Sequence, residues 1–272
     1  LPISRRSKWS LRAVALVYLL LLLLLPVGVV FVKTFEHGWS VAWAWMTTPA
    51  AISALWLSLL MALIAVPLNT VFGIGCALVL VRRRGRAAAV LDALIDLPFL
   101  VSPVVVGLAL TLVYGIHGWF GTWFSDHGVR IIYALPGMAL ATVFVSLPFV
   151  VREVAPVLRE VGDEQEQAAA TLGASGWQTF WRITLPSIRW GVAYGVILST
   201  ARALGEIGAV LVVSSLVAGQ TLTLPLLVYE RASNLGGSAL TSAYAAATEL
   251  AVISLVVLLV MTVLSPRKQG TK

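Results

Sequence analysis

Six stretches of this chain are long and apolar enough to cross a bilayer, at 13–32, 52–81, 98–115, 133–151, 191–213 and 242–264. One crossing needs about 20 helical residues, and in lipid every backbone N–H and C=O must be satisfied internally. The chain is therefore expected to be an all-α membrane protein with six transmembrane helices. Composition agrees: 59% of residues are hydrophobic and 11% charged, against about 45–50% and 25% in soluble domains. An ordinary soluble enzyme, a disordered chain and a nucleic-acid binder with a solvated basic face are excluded. The first stretch follows Arg5, Arg6, Lys8 and Arg12, as a secretory signal would. Its apolar run continues to Val32 without a small-residue cleavage site, beyond the roughly 7–15 residues of a signal, so a retained helix is expected. The second exceeds one crossing and must tilt, or bend at Pro67, whose ring removes an N–H from the ladder.

Net charge is +7. In membrane proteins Lys and Arg gather in cytoplasmic loops, which accounts for a basic chain without nucleic acid. Four clusters hold most of the cations: Arg5, Arg6, Lys8 and Arg12; Arg82, Arg83, Arg84 and Arg86; Arg152, Arg159, Arg182 and Arg189; and Arg267, Lys268 and Lys272. With six helices all four clusters share one side. The other side has only Lys33, Arg130 and Arg231, while Arg202 sits inside the fifth stretch. This bias places both termini in the cytoplasm. The expected organisation is a cytoplasmic tail at 1–12, a transmembrane domain at 13–264 and a second cytoplasmic tail at 265–272. The run 82–86 is expected to set topology and meet lipid headgroups.

Two connections are informative. The longest cytoplasmic one, 152–190, is also the most polar part of the chain. Its acids Asp163, Glu164 and Glu166 come early, as a helix N-terminus prefers, and Ala168, Ala169 and Ala170 follow. Gly173 punctuates, and Trp177, Phe180, Trp181 and Ile183 then recur at helical spacing. Leu185-Pro186 is expected to end this second helix. The aromatic stripe is expected to anchor at the lipid interface, with contact to a partner as the alternative. On the other side, 219–226 is too short to span and too apolar for a free loop, and is expected to be re-entrant or interfacial, packed in protein.

Chemistry of its own is not visible in the chain. There is no G-x-x-x-x-G-K-[ST] loop, and Ser102-Pro103 does not belong to a G-x-S-x-G turn. His37, His117 and His127 lack metal-ligand spacing, so neither a catalytic group nor a metal is expected. The single cysteine, Cys76, reads as buried packing, and Gly73-x-Gly75 as helix packing. A membrane bundle with a shaped cytoplasmic loop and no engine suits a transporter subunit driven by a partner.

The loop supplies a resemblance. Gln167-Ala168-Ala169, then Gly173 after three intervening residues, then Ile183-x-Leu185-Pro186 after nine more, follows the E-A-A-x3-G-x9-I-x-L-P pattern of bacterial ATP-binding-cassette importer permeases. Gln167 stands where the family usually has Glu, which drops a charge; Glu166 next to it points about 100° away on a helix and is no substitute. The segments 96–105, 201–210, 219–226 and 173–182 resemble the sulfate/thiosulfate branch, most like its W-type members; molybdate permeases are the near relative. The resemblance covers roughly 43–264. It implies a type I importer permease in a bacterial inner membrane, with Glu164, Gln167, Ala168, Ala169, Leu172, Gly173, Ala174, Ile183, Leu185 and Pro186 forming the ATPase-coupling loop. It also implies a second, homologous permease, two ATP-binding subunits that carry ATP and Mg, and an extracytoplasmic sulfate-binding protein. No cofactor is expected in this chain. A molybdate or tungstate permease, and a channel or secondary transporter working alone, are the alternatives.

Within the membrane, Pro98, Ser102, Pro103 and Gly107 interrupt the third stretch, as a gate or hinge or as a capped helix start. Arg202, Glu206 and Glu249 are intramembrane charges, which mark pairing or a pathway. Helical rise puts Arg202 and Glu249 at similar depth, and Arg202 and Glu206 share a face at i, i+4. Arg202 is therefore expected to be held by one or both carboxylates, with an anion-ligand role as the rival.

Overall fold

The computed structural model describes residues 12, 14–83, 85–234 and 236–264. Arg84, the tail 265–272 and all but Arg12 of the expected N-terminal tail lie outside the described residues. In chain order the helices are α1 (Val14–Phe35), α2 (Trp39–Met46), α3 (Pro49–Arg82), α4 (Arg86–Leu100), α5 (Pro103–Tyr114), α6 (Gly121–Asp126), α7 (Leu135–Val161), α8 (Glu164–Thr171), α9 (Gly176–Thr179), α10 (Leu185–Ser187), α11 (Arg189–Leu204), α12 (Gly208–Val213), α13 (Leu224–Ser233) and α14 (Gly237–Leu264). A π turn, Phe180–Thr184, joins α9 to α10. No strand occurs among the described residues.

Four helices, α1, α3, α7 and α14, are long and apolar enough to cross a membrane, and α4 with α5 makes a fifth candidate bent by 110°. Two expected spans differ in form. The third does not run as one helix from Pro98: Pro98 is buried in the last turn of α4, and Pro103 starts α5 at N1, where a missing N–H costs nothing. The fifth is divided at 205–207, because the Glu206 carboxylate rather than a continuing ladder accepts the Ala209 N–H, at 2.8 Å. By contrast α3 runs unbroken through Pro67 for 34 residues, about 51 Å, so it must tilt or project beyond a core about 30 Å thick.

At the centre, α3, α7 and α11 pack against one another. Small residues let them approach, as membrane helices require. A Cβ on Gly73 would lie 2.8 Å from Val150, one on Gly195 2.9 Å from the Val150 Cα, and one on Gly191 2.8 Å from the Glu153 carbonyl. Gly75 meets nothing, so only the first glycine of that pair packs. Cys76 is buried with Ile74, Ala77, Val151, Val154 and Leu158. Helix α7 also outlasts its expected end: Val150, Val151, Val154, Ala155 and Leu158 continue one buried face past Arg152. The polar connection therefore begins at Gly162, and Arg152 instead pairs with Asp92 and Asp96 of α4. The segment 221–227 is buried, and Ser58 of α3 accepts the Leu224 N–H at 2.8 Å, so this connection is packed in protein as expected.

Candidate functional site

Two places gather the residues singled out by sequence. The first is the arginine-rich end. Gly162, at φ +72° and ψ −163°, turns the chain out of α7 in a conformation open to glycine. The Arg82 guanidinium, at the end of α3, donates to the Gly162 carbonyl at 3.1 Å and to Glu166 Oε1 at 2.6 Å. The same carboxylate oxygen accepts the Thr184 hydroxyl at 2.7 Å. One carboxylate thus clasps α8 to the end of α3 and to the π turn that leads into α11. Sequence reasoning passed over this clasp. The available signal was an arginine and an acid in two connections on the same side.

Helix α8 ends in a Schellman turn: Ala174 N–H bonds the Ala169 carbonyl and Gly173 N–H bonds that of Ala170, with Gly173 at φ +85°. Glu164, Gln167 and Ala168 face solvent, Ala169 is buried, and Leu172 at the tip is 88% exposed. Glu166 and Gln167 do point apart: the acid turns inward to Arg82 and the amide outward. Ala174, Ile183 and Leu185 are half-buried behind the tip. Ser175 and Gln178 form a capping box at the start of α9, and Trp177 and Trp181 remain exposed beside it. Leu185-Pro186 does not stop the helix as expected. The π turn widens the ladder ahead of Pro186, which makes room for its ring, and the chain continues through α10 into α11.

The second place is the junction of the two divided spans. Helix α12 packs on α5, where a Cβ on Gly107 would sit 2.6 Å from the Ala209 carbonyl oxygen. Arg202, in the last turn of α11, pairs with Glu206 at 2.6 Å. Arg202, Pro98, Ser102 and Pro103 line one cavity of about 380 Å3. Gly107 lies beyond it, in the helix contact. Glu249 is not brought to this cluster. It lies in the field of Arg231, which donates to Thr48 Oγ1 and to the Ser242 carbonyl and stacks over Trp45 at the opposite end of the bundle from Arg82. Of the expected carboxylates, Glu206 alone holds Arg202.

The profile of the family described as "Binding-protein-dependent transport system inner membrane component" matches residues 69–270. The chain is similar to the sulfate transport system permease protein CysW of Synechocystis sp., with 50% identity over 98% of this chain and 96% of that one. It is 37% identical to the sulfate transport system permease protein CysT of Escherichia coli, over 89% of this chain and 88% of that one. Among solved structures it resembles, at TM-score 0.79 and 19% identity over 98% of each chain, a chain of a bacterial alginate ABC transporter in complex with an alginate pentasaccharide-bound periplasmic protein.

Proposed function

This chain belongs to the binding-protein-dependent transport system inner membrane component family, and from that premise we propose that it is a membrane permease subunit of an ATP-driven sulfate importer. Near full-length identity of 50% to a sulfate permease carries this reading. Thiosulfate, with the same charge and tetrahedral shape, is the second substrate proposed. The chain works beside a second, homologous permease; the likeness to CysT supports a pair of this kind. An extracytoplasmic binding protein delivers the anion. Two partner subunits bind ATP and Mg and supply the energy, so this chain is not itself an enzyme.

In the bacterial inner membrane the chain crosses six times over 13–264, counting α4–α5 and α11–α12 as divided spans, with both termini in the cytoplasm. The cation bias supports this orientation. Helix α8 and its exposed Leu172 are the coupling element, docked in a groove of an ATPase subunit. When the ATPases close on ATP, α8 moves with them. The Glu166 clasp passes the motion to α3 and α11, and inward-open and outward-open states exchange. Arg202 and Glu206 belong to the pathway and Pro98, Ser102, Pro103 and Gly107 to its gate, while Glu249 stands apart from both, in the field of Arg231.

The test is growth. The chain, expressed with its partners in a sulfate-uptake mutant, restores growth on sulfate and leaves molybdate-dependent enzyme activity unchanged in a molybdate-uptake mutant. Rescue of the molybdate strain alone assigns the other oxyanion.

A further inference from the structure

Resting on the reading that sulfate crosses through this subunit, the geometry points to a transit site for a tetrahedral dianion in the cavity at the α4–α5 bend, with Arg202 as its ligand and Glu206 as the positioning residue.

Irregular backbone at membrane depth is tolerated where it is buried in protein or lines a water-filled cavity. Here two breaks, 101–102 and 205–207, lie side by side: a Cβ on Gly208 would sit 2.9 Å from the Pro103 Cβ. The cavity at the first of these breaks, which Arg202 also lines, is about 380 Å3, more than ten times the roughly 30 Å3 share of one water, and so has room for a hydrated anion. Its lining is mostly apolar, with one cation, Arg202, one hydroxyl side chain, Ser102, and no carboxylate.

Exposure separates the two members of the ion pair. The Glu206 side chain is 2% exposed and that of Arg202 30%. Glu206 is fixed from behind, since its Oε1 accepts the Ala209 N–H while its Oε2 meets Arg202 Nη2. The guanidinium is thereby held at the cavity wall with donors to spare from its five. A planar fork of this kind suits an oxyanion. The charge balance also fits passage. Arg202 and Glu206 sum to zero, and Glu249 neither pairs with Arg202 nor lines the cavity. A dianion meets neither a net negative field nor an unpaired cation that would trap it, which is what conduction requires of an intermediate site.

The test uses the assembled importer in proteoliposomes, with Cys76→Ala removing the one cysteine of this chain, Ser102→Cys placing a probe in the cavity, and labelling read on this subunit alone. An anionic methanethiosulfonate is expected to modify this thiol about tenfold faster than a cationic one, a factor equivalent to about 1.4 kcal/mol. Millimolar sulfate slows the reaction, and Arg202→Gln together with Glu206→Gln abolishes the charge preference. In uptake assays without the probe, the double variant retains ATP hydrolysis stimulated by the binding protein but loses sulfate uptake about tenfold, and Arg202→Lys falls between it and the wild type. No modification by either reagent, or rates indifferent to reagent charge and to sulfate, overturns the site. Wild-type uptake by the double variant does so too. Absence of ATP-dependent sulfate uptake by the unmodified complex overturns the importer reading instead, and the labelling pattern still judges the cavity.

Discussion

Glu166 illustrates how a single side chain can join three elements. It is about three-quarters buried between Arg82 and Thr184, so its pair with Arg82 is worth about 1 kcal/mol, near the upper end for partly exposed pairs. That is too little to decide folding and enough to decide whether α8 and α3 move together. Glu166→Gln keeps the acceptor for Thr184 and drops the charge. The expected result is normal assembly and ATP hydrolysis with sulfate uptake reduced severalfold; the swap Arg82→Glu with Glu166→Arg recovers part of it. Unchanged uptake in Glu166→Gln removes the clasp from the mechanism. Gly173 makes a different point. No atom lies within 4 Å of the Cβ it lacks, so the obstacle to a side chain is its φ of +85° alone. Gly173→Val should cost about 1–2 kcal/mol locally and lower uptake while membrane insertion persists. Full uptake by an assembled Gly173→Val complex would argue against α8 as the docking element. The motif that singled out Gly173 was legible from spacing. The clasp was not, because its three members are 18 and 84 residues apart.

Among the elements, apolar length located the long helices well, since lipid demands it of any crossing segment. Boundaries were less legible where tertiary contacts override local pattern. Arg152, Glu153, Arg159 and Glu160 made the end of α7 look like loop, yet its buried face continues at helical spacing to Leu158. The break at 205–207 lies inside an apolar run and depends on a carboxylate cap that only the packed structure supplies. Pro103 could be read as a helix start, but the 110° bend before it could not. Glycines divide in the same way. A Cβ on Gly107 meets the Ala209 carbonyl at 2.6 Å and Val212 Cβ at 2.8 Å, backbone and a stiff side chain that yield poorly. Gly107→Ala should therefore destabilise by about 1–3 kcal/mol, as overpacking does. Gly75→Ala meets open space and gains helix propensity of about 1 kcal/mol. Thermal unfolding of the detergent-solubilised complex checks the pair: the melting point should fall for the first and hold or rise for the second. Equal behaviour would mean that α5 and α12 do not pack as described.

At the scale of the whole molecule, the lipid-facing surface and the charge bias have to agree on one orientation. Exposed apolar side chains run along α1 from Val14 to Val32 and along α14 at Leu255, Leu259 and Val263, as a hydrocarbon belt requires. The Gly162 turn and α8 lie at the end with Arg82, whereas Arg231 and Thr48 meet at the other. The third-to-fourth connection, with α6, lies between the far end of α5 and the start of α7, on that second side. Lys and Arg prefer the cytoplasmic side, so the proposed orientation puts α8 inside and Asp126 outside. In a Cys76→Ala background, Asp163→Cys should resist a membrane-impermeant maleimide in intact cells and react after permeabilisation, and Asp126→Cys should react in both. An inserted helix cannot expose both positions to the same face without losing or gaining a crossing, so labelling of Asp163→Cys from outside would overturn the six-span count. It would also remove α8 from the reach of any cytoplasmic ATPase.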